Sequence, residues 1–491
     1  MALKTIEKPT TAEEAAPALP APSSAYHRYH IDTAEAPDIV PWPSRFKVRV
    51  GKVGLATLLL KELLHTRDLE VTTSRPCIYG VFSGPVGGFA PIEEKCVGCL
   101  RCMTEHPDFV RVEHNPERQK LGDSYFTAGY VNAVAYEAAG GRVPVRGAGY
   151  RGRFGGQGWD GMWTDMSEIV RPTRDGIHGR EFISTVVDIG HGQQHLFFDD
   201  DGTLPPTTFN GFSLSLPLLF DAPPEGVGAP QGVAMPLYGQ ILAETARAID
   251  SLVFLPVSAL LDQDLRGDHI APLLSAADVG ELDRLAFAPR LVCLDGWDEA
   301  LLAAVRLRWP ETPLALRLFD PPEATIHQAL EAGIRIFHIT ADYHGRGRDG
   351  VFIFDIIRRC HLSLVQAGRR DEVTLLGSGG IIAAEHVPKA IIAGLDAVVL
   401  DTAPLVALQA QFDGNFVGRD DTTCRLPAAL TADWGVQRLK NLSAAWRDQL
   451  LEILGATGLR EVRRLRGEMG RAIFMEEQER EAFAGIEGYD G

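Results

Sequence analysis

"EVTLLGSGGIIAAEHVPKAIIAGLDAVVLDTAPLVALQAQF", residues 372 to 412, holds two strand-then-helix units in succession. "EVTLL" and "LDAVVL" have the length and apolar content of buried strands. Each runs into a small-residue loop, "GSGG" or "DTAP", that opens a helical stretch. The alternation extends backwards. "RLVCLDG" (290–296) precedes "WDEALLAAVRLRWP" (297–310), "PLALRLFD" (313–320) precedes "PEATIHQALEAG" (322–333), and "IRIFHITAD" (334–342) leads to "FDIIRRCHLSLVQAG" (354–368). Repeated βα units require a parallel sheet, open or closed. Two Gly- and Thr-bearing loops one unit apart favour closure, because the loops after strands seven and eight of (β/α)8 barrels often form a phosphate site from backbone N–H groups. The expected fold is α/β, with a (β/α)8 TIM-type barrel over residues 206–425 and a helical extension over 426–491.

A second region carries metal chemistry. "EEKCVGCLRCMTEHPDF" (93–109) spaces Cys96, Cys99 and Cys102 as three ligands of an iron–sulfur run, with His106 where a fourth cysteine belongs. In two-cluster ferredoxins that fourth cysteine serves the other cluster, so the missing ligand should lie upstream. Cys77, in "TTSRPCIYG" (72–80), stands there. The segment "LLHTRDLEVTTSRP" before it contains no cysteine, so the ligands of the second cluster are absent together. Residues 46–135 are therefore expected to form a small ferredoxin-like α+β domain with one 4Fe-4S cluster on Cys77, Cys96, Cys99 and Cys102. A zinc site is the alternative; zinc usually takes paired C-x2-C or histidine ligands. Cys293 and Cys360 read as buried small apolar residues.

Composition narrows the partners. A formal net charge of −17 over 491 residues disfavours nucleic acid and anionic membrane. No apolar run is long enough to span a bilayer; "VGLATLLLKELL" and "SLVFLPVSALL" read as core elements. The beginning of the chain lacks the apolar centre of a signal peptide, which gives a cytoplasmic location as the default. Residues 1–45 are expected to be a disordered or partner-contacting tail, and 136–205 a linking arm. Within that arm "VRGAGYRGRFGGQGWDGMWTDM" (145–166) reads as a long loop at the barrel mouth or a subunit interface, or as a solvated loop.

The chain resembles the glutamate-synthase-like FMN-binding barrel family, particularly its ferredoxin-fused, archaeal-type forms. The resemblance rests on "GRVPVRGAGY" with "DMSEIVRPTRDG", on "GSGGIIAAEHVPKAIIAGLDAVVLDTAPLVAL", on "RLKNLSAAWRDQLLEILGATGLREVRRLRG", and on the cysteine segment. It implies an oxidoreductase in which FMN receives electrons through iron–sulfur clusters and reduces the imine formed from 2-oxoglutarate and ammonia. By matching position Gly379, Gly380, Thr402 and Ala403 would hold the FMN phosphate. Arg317 would stand near the flavin, and "DYHGRGRDG" (342–350) would form the active-site loop. His344 is the candidate general acid, with Asp342 and Arg317 as further catalytic candidates. His338 reads more simply as a core histidine.

The chain also departs from that family. Arg346, Arg348 and Asp349 load the active-site loop with charge, and Asp401 replaces a glycine beside the phosphate site. A carboxylate about 4 Å from a phosphate costs on the order of 1 to 4 kcal/mol unless a cation intervenes. The family's "G-E-G-G" loop and the three-cysteine cluster of its barrel are missing, and no glutaminase segment precedes residue 75, so ammonia would arrive free or from a partner. Two readings compete: a flavin oxidoreductase acting on a small imino or oxo acid, or a catalytically silent subunit of a larger redox complex. Both imply a protein electron donor or an oligomer.

Overall fold

The computed structural model describes residues 29–67, 77–143, 156–165, 183–191, 201–202, 210–224, 226–228, 234–420, 422–482 and 484. The chain divides into Met1–His30 and Ile31–Gly491, and only Tyr29 and His30 of the first unit are described. The second unit carries both a barrel and the cysteine-bearing module.

Eight parallel strands close into the barrel in chain order: Leu218–Phe220, Val253–Pro256, Ile270–Leu274, Val292–Asp295, Leu314–Phe319, Ile336–Thr340, Thr374–Ser378 and Ala397–Leu400. Register runs from Phe220 against Val253 round to Val398 against Leu218, which seals the first strand to the eighth. Helices cover the outside, so the strands are buried on both faces and read as continuous apolar runs rather than alternating ones. The interior is packed with side chains: Phe254 of the second strand stacks on His338 of the sixth, 5.3 Å between ring centres. Those strands lie on opposite sides of the barrel, so the stacking crosses its centre.

Helix Ala432–Ala456, capped by the Thr431 hydroxyl on the Trp434 N–H, lies along the outside against helices Ala128–Gly140 and Ala234–Ala248. Its fully buried Arg438 donates to the carbonyls of Ala407 (2.6 Å), Ala36 (2.9 Å) and Ala135 (3.3 Å) and to the Asp38 carboxylate (2.9 Å). One guanidinium thus ties barrel, helix Ala128–Gly140 and the incoming chain together. Asn441 adds bonds to Ala34 and Ala138. Of the expected disordered or partner-contacting tail over 1–45, residues 1–28 lie outside the described residues, and the stretch from Ala34 to Val40 bonds the chain's own residues Asn441, Arg438, Ala139 and Gln409. The boundary at 135 also falls inside helix Ala128–Gly140 rather than between elements.

The cysteine-bearing module is a two-stranded antiparallel sheet, Phe46–Val50 with Val110–His114, enclosing a core of Phe46, Val48, Val81, Phe82, Val110 and Val112. Helix Lys52–Thr66 follows the first strand directly. The expectation that "VGLATLLLKELL" is a core element fails here. Leu55 is buried, but Val53 is 82%, Leu60 60% and Leu64 71% exposed. The second such run behaves as expected, supplying strand Val253–Pro256 and the helix after it.

Replacing Arg438 by Ala leaves three buried carbonyls without their donor and should lower unfolding free energy by about 3 kcal/mol. Denaturant titration of the two proteins checks this; a change under about 0.5 kcal/mol would show that the clamp is dispensable.

Candidate functional site

The four proposed ligands Cys77, Cys96, Cys99 and Cys102 line one small cavity that opens to solvent. Its wall is apolar: Val48, Val81, Phe82, Val97, Leu100 and Val112, with Tyr79 at the side. The loop between the cysteines turns twice through left-handed backbone, at Gly98 (φ 73°) and Leu100 (φ 60°). A side chain at Gly98 would overlap the Phe46 ring, so only glycine lets the loop close on the core. The Gly98 N–H lies by the Cys96 sulfur and slightly favours its thiolate, while the Met103 N–H donates to the Leu100 carbonyl (2.9 Å). Burial, reinforced by the neighbouring thiols, raises Cys96 and pushes Cys102 up to about 11. Among the described residues no three His, Cys, Asp or Glu side chains are grouped closely enough for a single metal ion. His106 stacks on Phe109 (5.1 Å) and is not part of the cavity wall.

The second site is the C-terminal mouth of the barrel, where such barrels do their chemistry. Asp221 follows the first strand and Asp401 the eighth; both are buried. Arg419, from the loop beyond the barrel, reaches between them. Its guanidinium donates to Asp221 (2.9 Å), Asp401 (2.9 Å), the Ser378 hydroxyl (3.0 Å) and the Ala341 carbonyl (2.6 Å), and lies over the Tyr343 ring at 4.7 Å. Arg317 from the fifth strand adds a weaker bond to Asp221 (3.4 Å). Asp221, held by two guanidiniums, is kept well below the usual carboxylate range despite its burial. Asp401 shares one guanidinium with it, and desolvation pushes its carboxyl up to about 6. His338 donates to or accepts from Ser378 (2.9 Å) through Nε2 while its buried Nδ1 has no partner; burial drives it down to about 3, so the ring is neutral.

The residues assigned to the flavin phosphate sit together at this mouth, and two of them, Gly380 and Thr402, have donors engaged within the chain. Gly380 N–H donates to the Tyr343 carbonyl (3.0 Å), and Thr402 donates both N–H (2.6 Å) and hydroxyl (3.1 Å) to Asp401. Ala403 begins only a five-residue helix. The other side of the glycine loop is covered too. The Tyr125 hydroxyl donates to the Gly380 carbonyl (2.9 Å), and Trp159 Nε1 points at the Gly379 carbonyl (3.4 Å). Asp160 beside it meets His386 (3.1 Å) and the Tyr130 hydroxyl, while Lys389 donates to the Trp159 carbonyl (2.8 Å). Residues 156–165 of the long aromatic loop therefore lie at the barrel mouth; its positions 145–155 and 166 fall outside the described residues. Arg419 lies between the ends of the first, sixth, seventh and eighth strands, beside this glycine loop.

The remaining candidates divide. Arg317 belongs to the mouth cluster. His344 Nε2 bonds Asp123 (2.8 Å), which also accepts the Phe416 N–H (2.9 Å), and its ring stacks on Tyr125 at 5.2 Å. Asp342 accepts the Arg346 N–H (2.7 Å) and pins the turn of the 342–350 loop. Cys293, Cys360 and Cys424 are buried with raised thiols. Sequence reasoning missed Asp221, Ser378, Arg419, Tyr125 and Trp159. The one available signal was Asp401 itself, a buried acid that required a cation somewhere.

A closed parallel barrel with a glycine loop after its seventh strand and a cysteine-bearing module in front defines the class. Comparison with known proteins agrees. Residues 343–414 match the conserved region in glutamate synthase. The archaeal glutamate synthase [NADPH] of Methanocaldococcus jannaschii is 35% identical over 114 residues, 22% of either chain. The archaeal-type enzyme of Dehalococcoides mccartyi is 21% identical over 437 residues, 76% of this chain and 86% of that one. Over these stretches the chain is similar to archaeal-type glutamate synthases. The chain spans about a fifth of the length of the first of these relatives at the higher identity. Solved structures of similar chain path include a mandelate oxidase variant (TM-score 0.39, 16% identity, 62% of this chain and 97% of that). A second is the monotopic membrane protein (S)-mandelate dehydrogenase (0.40, 11%, 72% and 93%). Among the described residues of this chain, no helix is long and apolar enough to cross a membrane.

Because the folded Asp401 holds its proton more tightly than the unfolded chain, stability should fall as pH rises from about 4 to about 6 and level off above. The loss should be about 2 to 3 kcal/mol. Asp401→Asn should remove that slope in denaturant titrations at stepped pH; parallel curves would show that Asp401 is not the group involved.

Proposed function

We propose that this chain is a one-cluster redox subunit of the glutamate-synthase-like class, with its barrel mouth held shut by its own arginine. Cys77, Cys96, Cys99 and Cys102 would hold a 4Fe-4S cluster, which supplies one-electron transfer. The Gly98 N–H would help stabilise the charge on the Cys96 sulfur, and the apolar wall would limit water there. The observation that carries the reading is Arg419, bonded to both Asp221 and Asp401 where a flavin would lie. Electrons then have no acceptor inside the barrel, and the subunit works within a larger complex or with a separate electron carrier.

A second reading keeps the chemistry of the relatives: an FMN-type oxidoreductase reducing a small imino or oxo acid. Gly379 (φ 131°) and Gly380 (φ 68°) retain the backbone of a phosphate-type loop, which favours it. In that case Arg419 must withdraw for the flavin to enter, and Arg317 with Arg419 would offer charge to a carboxylate substrate.

Metal and flavin analysis of anaerobically purified protein separates these readings. The proposal expects about four irons per chain, loss of the reduced-state paramagnetic signal in Cys77→Ser, and no stoichiometric FMN. Flavin bound one-to-one decides for the second reading, and zinc without iron refutes both. FMN titration of Arg419→Ala adds a check: new micromolar binding would show that the arginine alone excludes the flavin.

A further inference from the structure

Helix Lys52–Thr66 presents a stripe of apolar side chains to solvent. Val53, Leu60 and Leu64 recur at i, i+7 and i+11, on one helical face, with Leu63 (39% exposed) at its edge. Three large aliphatic side chains, each 60% exposed or more, in one row on one helix are unusual for a surface with no partner. The opposite side of the helix is packed: a side chain at Gly88 would touch Leu55 at 3.1 Å and Phe82 at 3.4 Å, and Phe82 is part of the thiol cavity wall. Leu55 of the helix and Phe82 of the cavity wall thus both border Gly88. Exposed Ile78 and Val97, on the two cysteine loops, extend the apolar surface to the cavity itself.

The charge around the stripe runs against the rest of the molecule. From Arg45 to Arg67 the chain has six basic residues (Arg45, Lys47, Arg49, Lys52, Lys61 and Arg67) and one acidic residue, Glu62. The whole chain carries −17. Arg49 is 3.8 Å from Glu113, and Lys52, Lys61 and Arg67 are exposed beside the stripe. A basic ring about an apolar centre fits a partner with the reverse pattern.

We propose that the Val53–Leu60–Leu64 face, ringed by Lys52, Lys61 and Arg67, is the docking surface for an acidic electron-carrier protein. The carrier exchanges single electrons with the cluster held at Cys77, Cys96, Cys99 and Cys102. The inference rests on the cluster reading and names the partner that reading requires. The step balances simply: the carrier loses one electron, the cluster gains it, and no bond or proton changes place. Apolar contact supplies the affinity, and the basic ring supplies orientation and rate.

The test uses the full chain, reconstituted anaerobically with iron and sulfide, and a purified acidic two-cluster bacterial ferredoxin as probe. Ferredoxin affinity is measured by calorimetry, and electron delivery by stopped-flow absorbance. Leu60→Ser combined with Leu64→Ser should weaken binding at least tenfold and slow reduction by ferredoxin to match. Lys61→Glu should slow association several-fold, with an effect that fades at high salt. Leu307→Ser, on a distant barrel helix and 88% exposed in the parent, should change neither. Reduction by methyl viologen radical should be the same in all variants, which shows the cluster intact. Unchanged ferredoxin affinity in the double variant overturns the proposal. So does binding to phosphatidylglycerol vesicles, or a dimer in gel filtration, that the same substitutions abolish. Should the chain carry no iron, the cluster reading fails, and calorimetry on the metal-free protein still decides the docking surface by itself.

Discussion

Two carboxylates anchored at the ends of the first and eighth barrel strands cannot both stay buried and charged without a cation between them. Desolvation of each would cost several kcal/mol, and their mutual repulsion adds to it. Arg419 meets that requirement, and the rest of the mouth follows from its position. By bonding Asp221, Asp401, Ser378 and the Ala341 carbonyl, it joins the ends of four strands to the loop beyond the barrel. Tyr343 supplies a ring face beneath the guanidinium, and Thr402 completes the shell of Asp401. Removing one partner would leave an uncompensated buried charge, so the group stands or falls as a unit.

The same end of the barrel is where the cysteine module's side of the chain is fastened. Asp123, Tyr125 and Trp159 all lie before the first barrel strand, yet each bonds a residue of the mouth: His344, Gly380 and Gly379 respectively. His344, expected from sequence to be a general acid, bonds Asp123 through Nε2 and stacks its ring on Tyr125. Conformational change at the mouth would therefore be transmitted to the strand of chain that leads back to the cysteines.

Legibility from sequence followed locality. The barrel was readable because each βα unit announces itself within about 30 residues, through an apolar run, a turn and a helical period. The cysteine quartet was readable because ligand spacing constrains a loop directly. Arg419 was not, since a single arginine in "NFVGRDD" has no local pattern, and its partners lie 198 and 18 residues away. Asp401 could be recognised as a problem, but its solution depended on tertiary contact. The misreading of "VGLATLLLKELL" had a different cause. Apolar content predicts burial against something, and the sequence of one chain does not say whether that something is the same chain.

The mouth and the exposed helix are linked by an electrostatic argument. FMN phosphate is anionic, so entering beside Asp401 it would exchange a buried cation for a buried anion. That exchange becomes favourable only if Asp401 takes up a proton, and its carboxyl, already pushed up to about 6, lies within reach of mild acid. At neutral pH the charge on Asp401 favours the cation beside it, Arg419. Under the one-cluster proposal, an electron held at the cysteines would be exchanged at the exposed face of helix Lys52–Thr66 rather than passed into the barrel, and the arrangement of charge at the mouth would direct the chain toward another protein.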